Sequence, residues 1–169
     1  KAQSCQPCVE GTFADLEGLS SCPACQAGRF ADTKGNLECK HCTVGRFQRD
    51  LGASTCMACD AGFYSYTVGQ TSCTACASGK VSNASGVPCA DCAEGYFSDS
   101  IASSACQVCQ PGRFSDIKGR SSCTQCAKGR WYGMQGASKC TACIPGSFSI
   151  SQGATTNCTQ CPEGSFAAL

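Results

Sequence analysis

Large apolar residues are scarce in this 169-residue chain: Leu, Ile, Val and Phe together fill 23 positions, about one in seven. Ordering a backbone costs roughly 1–2 kcal/mol per residue, and so thin an apolar supply cannot offset it through a conventional core. No apolar run approaches the length of a membrane-crossing helix, and no secretory hydrophobic segment stands at the start. Charge of one sign is not in evident excess either. The 13 basic and 12 acidic residues are interspersed, give a net +1, and argue against nucleic acid or an anionic membrane as main partner. Histidine occurs once, at His41, so a serine–histidine–acid set has one ring at most to draw on. Neither helical periodicity nor a strand–helix–strand pattern is present, which removes the setting a thioredoxin-like centre needs. The chain opens on Lys1 and breaks off at CPEGSFAAL, soon after a further repeat begins. We read it as a segment of a longer polypeptide.

What the chain has instead is cysteine, 20 residues of it, all in ten C-x-x-C pairs. The pairs are Cys5/Cys8, Cys22/Cys25, Cys39/Cys42, Cys56/Cys59, Cys73/Cys76, Cys89/Cys92, Cys106/Cys109, Cys123/Cys126, Cys140/Cys143 and Cys158/Cys161, spaced 17 residues apart save for one step of 16 and one of 18. Such a period marks a repeat architecture. A glycine follows three residues after each pair, from Gly11 and Gly28 through to Gly164. Two residues on stands an aromatic in nine of ten copies: Phe13, Phe30, Phe47, Tyr64, Phe97, Phe114, Trp131, Phe148 and Phe166, with Val81 the exception. Five further on comes a second glycine, replaced once by Ala102.

This unit predicts a short strand through G-x-aromatic, a polar turn closed by the second glycine at positive φ, and a return strand reaching the next cysteine. Strands of about five residues are expected. The first glycine is expected to admit a close approach of backbone or disulfide. The aromatic is expected to lie on its own disulfide and against the next hairpin, making a core one ring deep. The fold class is therefore small, disulfide-rich and all-β: an elongated tandem array of ~17-residue disulfide-closed β-hairpin repeats with little conventional core. The expected divisions are 1–7 (end of a preceding repeat), nine repeats at 8–24, 25–41, 42–58, 59–75, 76–91, 92–108, 109–125, 126–142 and 143–160, then 161–169 (start of a further one).

Paired C-x-x-C motifs also approach zinc-ribbon spacing. Ten unbroken pairs would need about five ions in a row with one histidine among them, so covalent staples are the better reading; no metal and no cofactor are expected. Two pairings remain open on spacing. Closing each hairpin joins Cys8–Cys22, Cys25–Cys39, Cys42–Cys56, Cys59–Cys73, Cys76–Cys89, Cys92–Cys106, Cys109–Cys123, Cys126–Cys140 and Cys143–Cys158. Cys5 and Cys161 are then left to pair outside the segment. A ladder of Cys5–Cys22, Cys8–Cys25 and so on would use all twenty. Each closed loop would contribute roughly 3 kcal/mol on the chain-entropy account.

The unit, clearest in Cys25, Gly28, Phe30, Gly35 and Cys39, resembles the ephrin-receptor-like cysteine-rich repeat. It is also similar to the first sub-module of tumour-necrosis-factor-receptor cysteine-rich domains. The resemblance implies the hairpin-closing scheme. It also implies a non-catalytic module of a large surface protein.

Other candidate residues are minor. Asp15, Asp32, Asp99 and Asp116 recur two residues past the aromatic, one per repeat, where turn capping is favoured over calcium ligation. Arg29, Arg46, Lys80, Arg113 and Arg130 precede the aromatic and are expected on the opposite face, as solvated residues or as a basic edge for acidic glycans. His41, inside a C-x-x-C expected to turn, should be exposed. Asn83 and Asn157 head sequons that fit N-glycosylation in a secreted chain. The repeat falters between residues 76 and 106, where a bend, weak point or lateral contact is expected. The functional expectation is a non-enzymatic extracellular or cell-surface stalk, rod or fibre-forming segment. Its partners would be copies of itself, other extracellular proteins or glycans. The alternative is a receptor ectodomain binding a protein ligand.

Overall fold

The computed structural model describes residues 4–167 and contains no helix among them. Sixteen two-residue strands form eight antiparallel pairs. β1 (Arg29–Phe30) pairs with β2 (Lys40–His41), β3 (Arg46–Phe47) with β4 (Met57–Ala58), β5 (Phe63–Tyr64) with β6 (Thr74–Ala75), and β7 (Lys80–Val81) with β8 (Ala90–Asp91). The pattern continues with β9 (Tyr96–Phe97) and β10 (Gln107–Val108), β11 (Arg113–Phe114) and β12 (Thr124–Gln125), β13 (Arg130–Trp131) and β14 (Thr141–Ala142), and β15 (Ser147–Phe148) and β16 (Thr159–Gln160). Ahead of them a single bridge, Thr12 to Ala24, marks the same place in the first hairpin. We number the nine hairpins by their disulfides, hairpin 1 being the one closed by Cys8 and Cys22.

Two features differ from the sequence-based expectation. The strands are two residues long, not about five, and the return strand lies between the cysteines of the C-x-x-C rather than ahead of it. The cause is competition for backbone groups. Past Phe30 the chain bonds to its neighbour: the Ala31 amide donates to the Ala53 carbonyl at 3.1 Å, one hairpin further on. On the other side of the ring, the Gly28 amide donates to the Gln48 carbonyl at 2.7 Å. The ladder within a hairpin is thus cut short, and the groups it loses pair with the next copy.

Chain contacts divide the protein into two compact units. One comprises residues 1–75 with 82–88, the other 76–81 with 89–169, so the division runs through irregular hairpin 5. In the first unit Cys25, Cys42 and Cys59 are fully buried together with Ala31, Ser65 and Ser82. In the second, Cys76, Cys92, Cys109 and Cys126 are buried together with Ser98, Ser115 and Ala137. The core is therefore sulfur and small side chains. The rings lie at its edge, a correction to the one-ring-deep expectation. Tyr64 alone among them is buried, the others before Phe166 are partly buried, and Phe166 is 87% exposed. Phe13 does pack as expected on the following hairpin, against Cys25, Ala31 and Cys39.

Both glycines of the unit have positive φ, not the second alone. Gly28, at φ 80°, is the third residue of a type II turn in which the Arg29 amide donates to the Gln26 carbonyl at 3.1 Å. Its carbonyl accepts from Cys42 at 2.9 Å, and its α-carbon faces the Gly69 carbonyl two hairpins on, so closely that a β-carbon would collide with that oxygen. Gly11 meets Gly52 in the same way in the first unit, as Gly79 meets Gly119 and Gly112 meets Gly153 in the second. Within each unit, these hairpins therefore touch the next and the one beyond it. At Ala102, where the second glycine is missing, the chain keeps the left-handed conformation at φ 57°, and its amide still donates to Cys76 at 2.9 Å.

The close approach can be separated from the conformational demand. Gly28→Ala should lower the opening free energy read by hydrogen exchange at the Cys42 amide by roughly 2–5 kcal/mol, combining left-handed strain with overpacking. Gly129 has the same conformation (φ 74°) with nothing within 4 Å, so Gly129→Ala should cost the Cys143 amide only about 1–2 kcal/mol. Equal losses at the two sites would show that the inter-hairpin contact contributes nothing.

Candidate functional site

The elements above bring eighteen cysteines together as nine bridges: Cys8–Cys22, Cys25–Cys39, Cys42–Cys56, Cys59–Cys73, Cys76–Cys89, Cys92–Cys106, Cys109–Cys123, Cys126–Cys140 and Cys143–Cys158. Their Cα atoms stand 5.6–5.8 Å apart, the same spacing whether the loop separation is 13, 14 or 15 residues. The one-residue changes in hairpins 5 and 9 are absorbed in the loops. Cys5 and Cys161 have no partner among the described residues. No cluster of three or more His, Cys, Asp or Glu side chains is placed to hold a metal ion there. No helix among them is long and apolar enough to cross a membrane.

The C-x-x-C interior is extended rather than turned, correcting the setting expected for His41. The ring is exposed as expected, but Nδ1 stands 2.6 Å from where a Gly69 β-carbon would be, so it shields the turn of hairpin 4. The arginines ahead of the aromatic have a use that spacing did not disclose. Arg46, Arg113 and Arg130 each donate from Nη1 to the carbonyl of their own hairpin's closing cysteine, Cys56, Cys123 and Cys140, at 3.0–3.2 Å. Lys80 instead pairs with Asp91 at 2.6 Å. Arg29 lines a cleft with Asp15 and Glu38.

Three of the four recurring aspartates bond within their own hairpins. Asp32 accepts from Lys40 at 2.9 Å, Asp99 from Gln107 at 3.2 Å, and Asp116 from Arg120 at 2.7 Å. The hydrogen bond from Lys40 holds the Asp32 carboxyl below its ordinary value, with a smaller contribution from its own backbone; Arg120 does the same for Asp116. Both sequon asparagines are exposed, and the Asn157 Oδ1 accepts the Cys158 amide at 2.8 Å.

One position escaped the sequence reading altogether. The residue after the aromatic is buried in most copies, as Ala31, Gln48, Ser65, Ser82, Ser98 and Ser115. The serine hydroxyls donate to the carbonyl two residues on, as Ser65 does to Thr67 at 3.0 Å and Ser115 to Ile117 at 3.1 Å. A satisfied hydroxyl is tolerated in the core where no larger group fits. The signal was available: eight of the ten copies carry Ala or Ser at that place.

Fold and cysteine arrangement together define a class, the tandem disulfide-closed β-hairpin repeat. Within it, residues 11–55 and 45–86 match the family described as tyrosine-protein kinase ephrin type A/B receptor-like. Residues 11–86 are thus ephrin-receptor-like cysteine-rich repeats, a family of non-catalytic modules, and the later hairpins repeat their cysteine and glycine spacing. No curated protein sequence matches the chain.

The lowered pKa of Asp32 gives a direction for pH. Its contribution to folding is present above the ordinary carboxylate range and is lost as pH falls through the lowered folded value. In Lys40→Ala the Asp32 carboxyl should titrate at higher pH than in the parent when followed by carbon-13 NMR. An unchanged midpoint would show that the ion pair does not form in solution.

Proposed function

We propose that this chain is a non-enzymatic extracellular structural segment, a stalk or fibre-forming part of a larger surface or filament protein. The observation that carries the reading is the repeated backbone register: each hairpin offers the next the same donors and acceptors. The second glycine of every hairpin from the second to the ninth, or Ala102 in its place, donates to the first cysteine of the hairpin before it. An array built so lengthens without needing new contacts. Its repeat unit runs from one bridge-opening cysteine to the residue before the next, as in 25–41. The nine bridges suit an oxidising compartment outside the cell.

Partners in this reading are copies of the chain or other extracellular proteins. Exposed aliphatic side chains at the loop tips supply material for lateral contact: Leu16, Leu51, Ile101, Ile117, Met134 and Ile150 are 56–73% exposed. Asn83, exposed in a loop, is the better glycan acceptor, since Asn157 is already bonded beside a bridging cysteine. Cys161 is proposed to bridge to a cysteine beyond the segment. Its amide already donates to Gly146 at 2.9 Å, as bridged Cys25 and Cys42 donate to Gly11 and Gly28. Cys5 is assigned the corresponding role at the other end.

A receptor ectodomain is the second reading, favoured by the family description of residues 11–86. Electron microscopy and sedimentation of the native material separate the two. The structural reading predicts filaments or ordered lateral assemblies that grow with concentration. A monomer at all concentrations, capturing one protein ligand through one or two hairpins, would replace it with the receptor reading.

A further inference from the structure

We propose that hairpins 7 and 8 bind a sulfated polysaccharide through Arg113, Lys128, Arg130 and Lys139. The near-zero net charge conceals an uneven distribution. Residues 1–99 hold ten acids and seven bases, whereas residues 113–139 hold six bases and one acid, Asp116, which is already paired with Arg120. The interspersed charge read from the whole composition is thus a property of the first part of the chain.

The same position in the unit has opposite surroundings at the two places. In hairpin 2, Arg29 shares its cleft with Asp15 and Glu38. In hairpin 3, Arg46 shares one with Glu10 and Asp32. Carboxylates thus line both of these clefts beside the arginine. In hairpin 8, Arg130 shares its cleft with Lys128, Ile144, Pro145 and Phe148, and no carboxylate lines it. The residue before the closing cysteine is Glu38 in hairpin 2 and Lys139 in hairpin 8. Lys139 therefore adjoins Cys140, whose carbonyl holds the Arg130 guanidinium. Arg113 occupies the equivalent place one hairpin earlier, held by Cys123 at 3.2 Å. Lys128 and Lys139 are exposed and make no hydrogen bond or ion pair among the described residues.

This arrangement selects the ligand. Guanidinium groups fixed through one nitrogen keep their remaining N–H donors oriented outward, which suits the paired oxygens of a sulfate. Free ammonium groups beside them add charge without a geometric demand. The four basic side chains are exposed on two successive hairpins, which suits a linear chain better than a compact anion held by enclosure. Phe148 and Pro145 offer apolar surface to the C–H face of a sugar ring. The acidic part of a second copy is a poorer complement: its charge is diluted by seven bases, and Asp32 and Asp91 are already paired. The proposal holds for either a stalk or a receptor.

The test is calorimetric binding of a heparin decasaccharide to the whole chain in 150 mM salt, beside the same sugar chemically desulfated. The parent should bind heparin and not the desulfated sugar, with affinity falling steeply as salt rises. Lys128→Ala with Lys139→Ala should weaken binding about tenfold and flatten the salt dependence, with hydrogen exchange unchanged because neither side chain is bonded. Lys34→Ala with Arg49→Ala, in the acidic part, should stay within about twofold of the parent. Equal loss in both pairs, or no loss in the first, would overturn the assignment, as would equal binding of the desulfated sugar. Self-association abolished by the first pair, without heparin binding, would assign the surface to a second copy instead.

Discussion

A bond between two sulfur atoms, repeated every 17 residues or so, is the constraint on which this protein rests. Two-residue strands joined by long loops have almost no independent stability. The bridge removes most of the entropy such a loop would otherwise hold in the unfolded chain. It also supplies the core, since the bridge-opening cysteines of hairpins 2 to 8 are at most 1% exposed and are the largest fully buried side chains present. The covalent link and the packed interior are the same atoms. This explains how a chain so poor in Leu, Ile and Val holds a defined structure.

Once the bridges are closed, backbone hydrogen bonds repeat from one hairpin to the next within each unit. The first glycine of a hairpin is a three-way junction. At Gly28 the amide reaches the next hairpin, the carbonyl that hairpin's first cysteine, and the bare α-carbon the turn two hairpins on. Side-chain identity matters little at the exposed strand positions, which explains why Lys, His, Met, Thr and Gln all occupy the C-x-x-C interior. Where the unit is broken, the backbone bears the cost. Hairpin 5 loses its ring and one residue but keeps its strand register, and Ala102 adopts the left-handed conformation a glycine would have taken.

Much of this was legible in the sequence, because a strict period reports on geometry that every copy must satisfy. The spacing of Cys25, Gly28, Phe30, Gly35 and Cys39 sufficed for the class of fold, the hairpin unit and the positive φ at Gly35. The features missed depend on relations between hairpins, which the pattern of a single copy does not encode. Ser65, buried beside the ring, drew no reading from the sequence, and Phe30 was expected in the core where the disulfides stand. The Arg46, Arg113 and Arg130 bonds to cysteine carbonyls accompany a return strand lying inside the C-x-x-C, where the sequence-based expectation put it ahead of the cysteine. The cationic cleft at Lys128 and Arg130 was hidden by averaging charge over the whole length.

A scaffold of this kind separates architecture from recognition. Cysteine, glycine and the small buried residues hold each hairpin in register. The loop tips and the residues flanking the bridges are free to vary in charge and apolarity, as the contrast between Glu38 and Lys139 shows. The claim beneath all of it is that the sulfur bridges take the place of an apolar core. The most direct measurement is amide hydrogen exchange on the native chain and on the same chain reduced and alkylated at every cysteine. The account predicts slow exchange at the amides of Gly28, Cys42, Gly112 and Cys126 in the native chain, and exchange at unfolded rates throughout the alkylated one. Persistent protection of those amides without the bridges would contradict it.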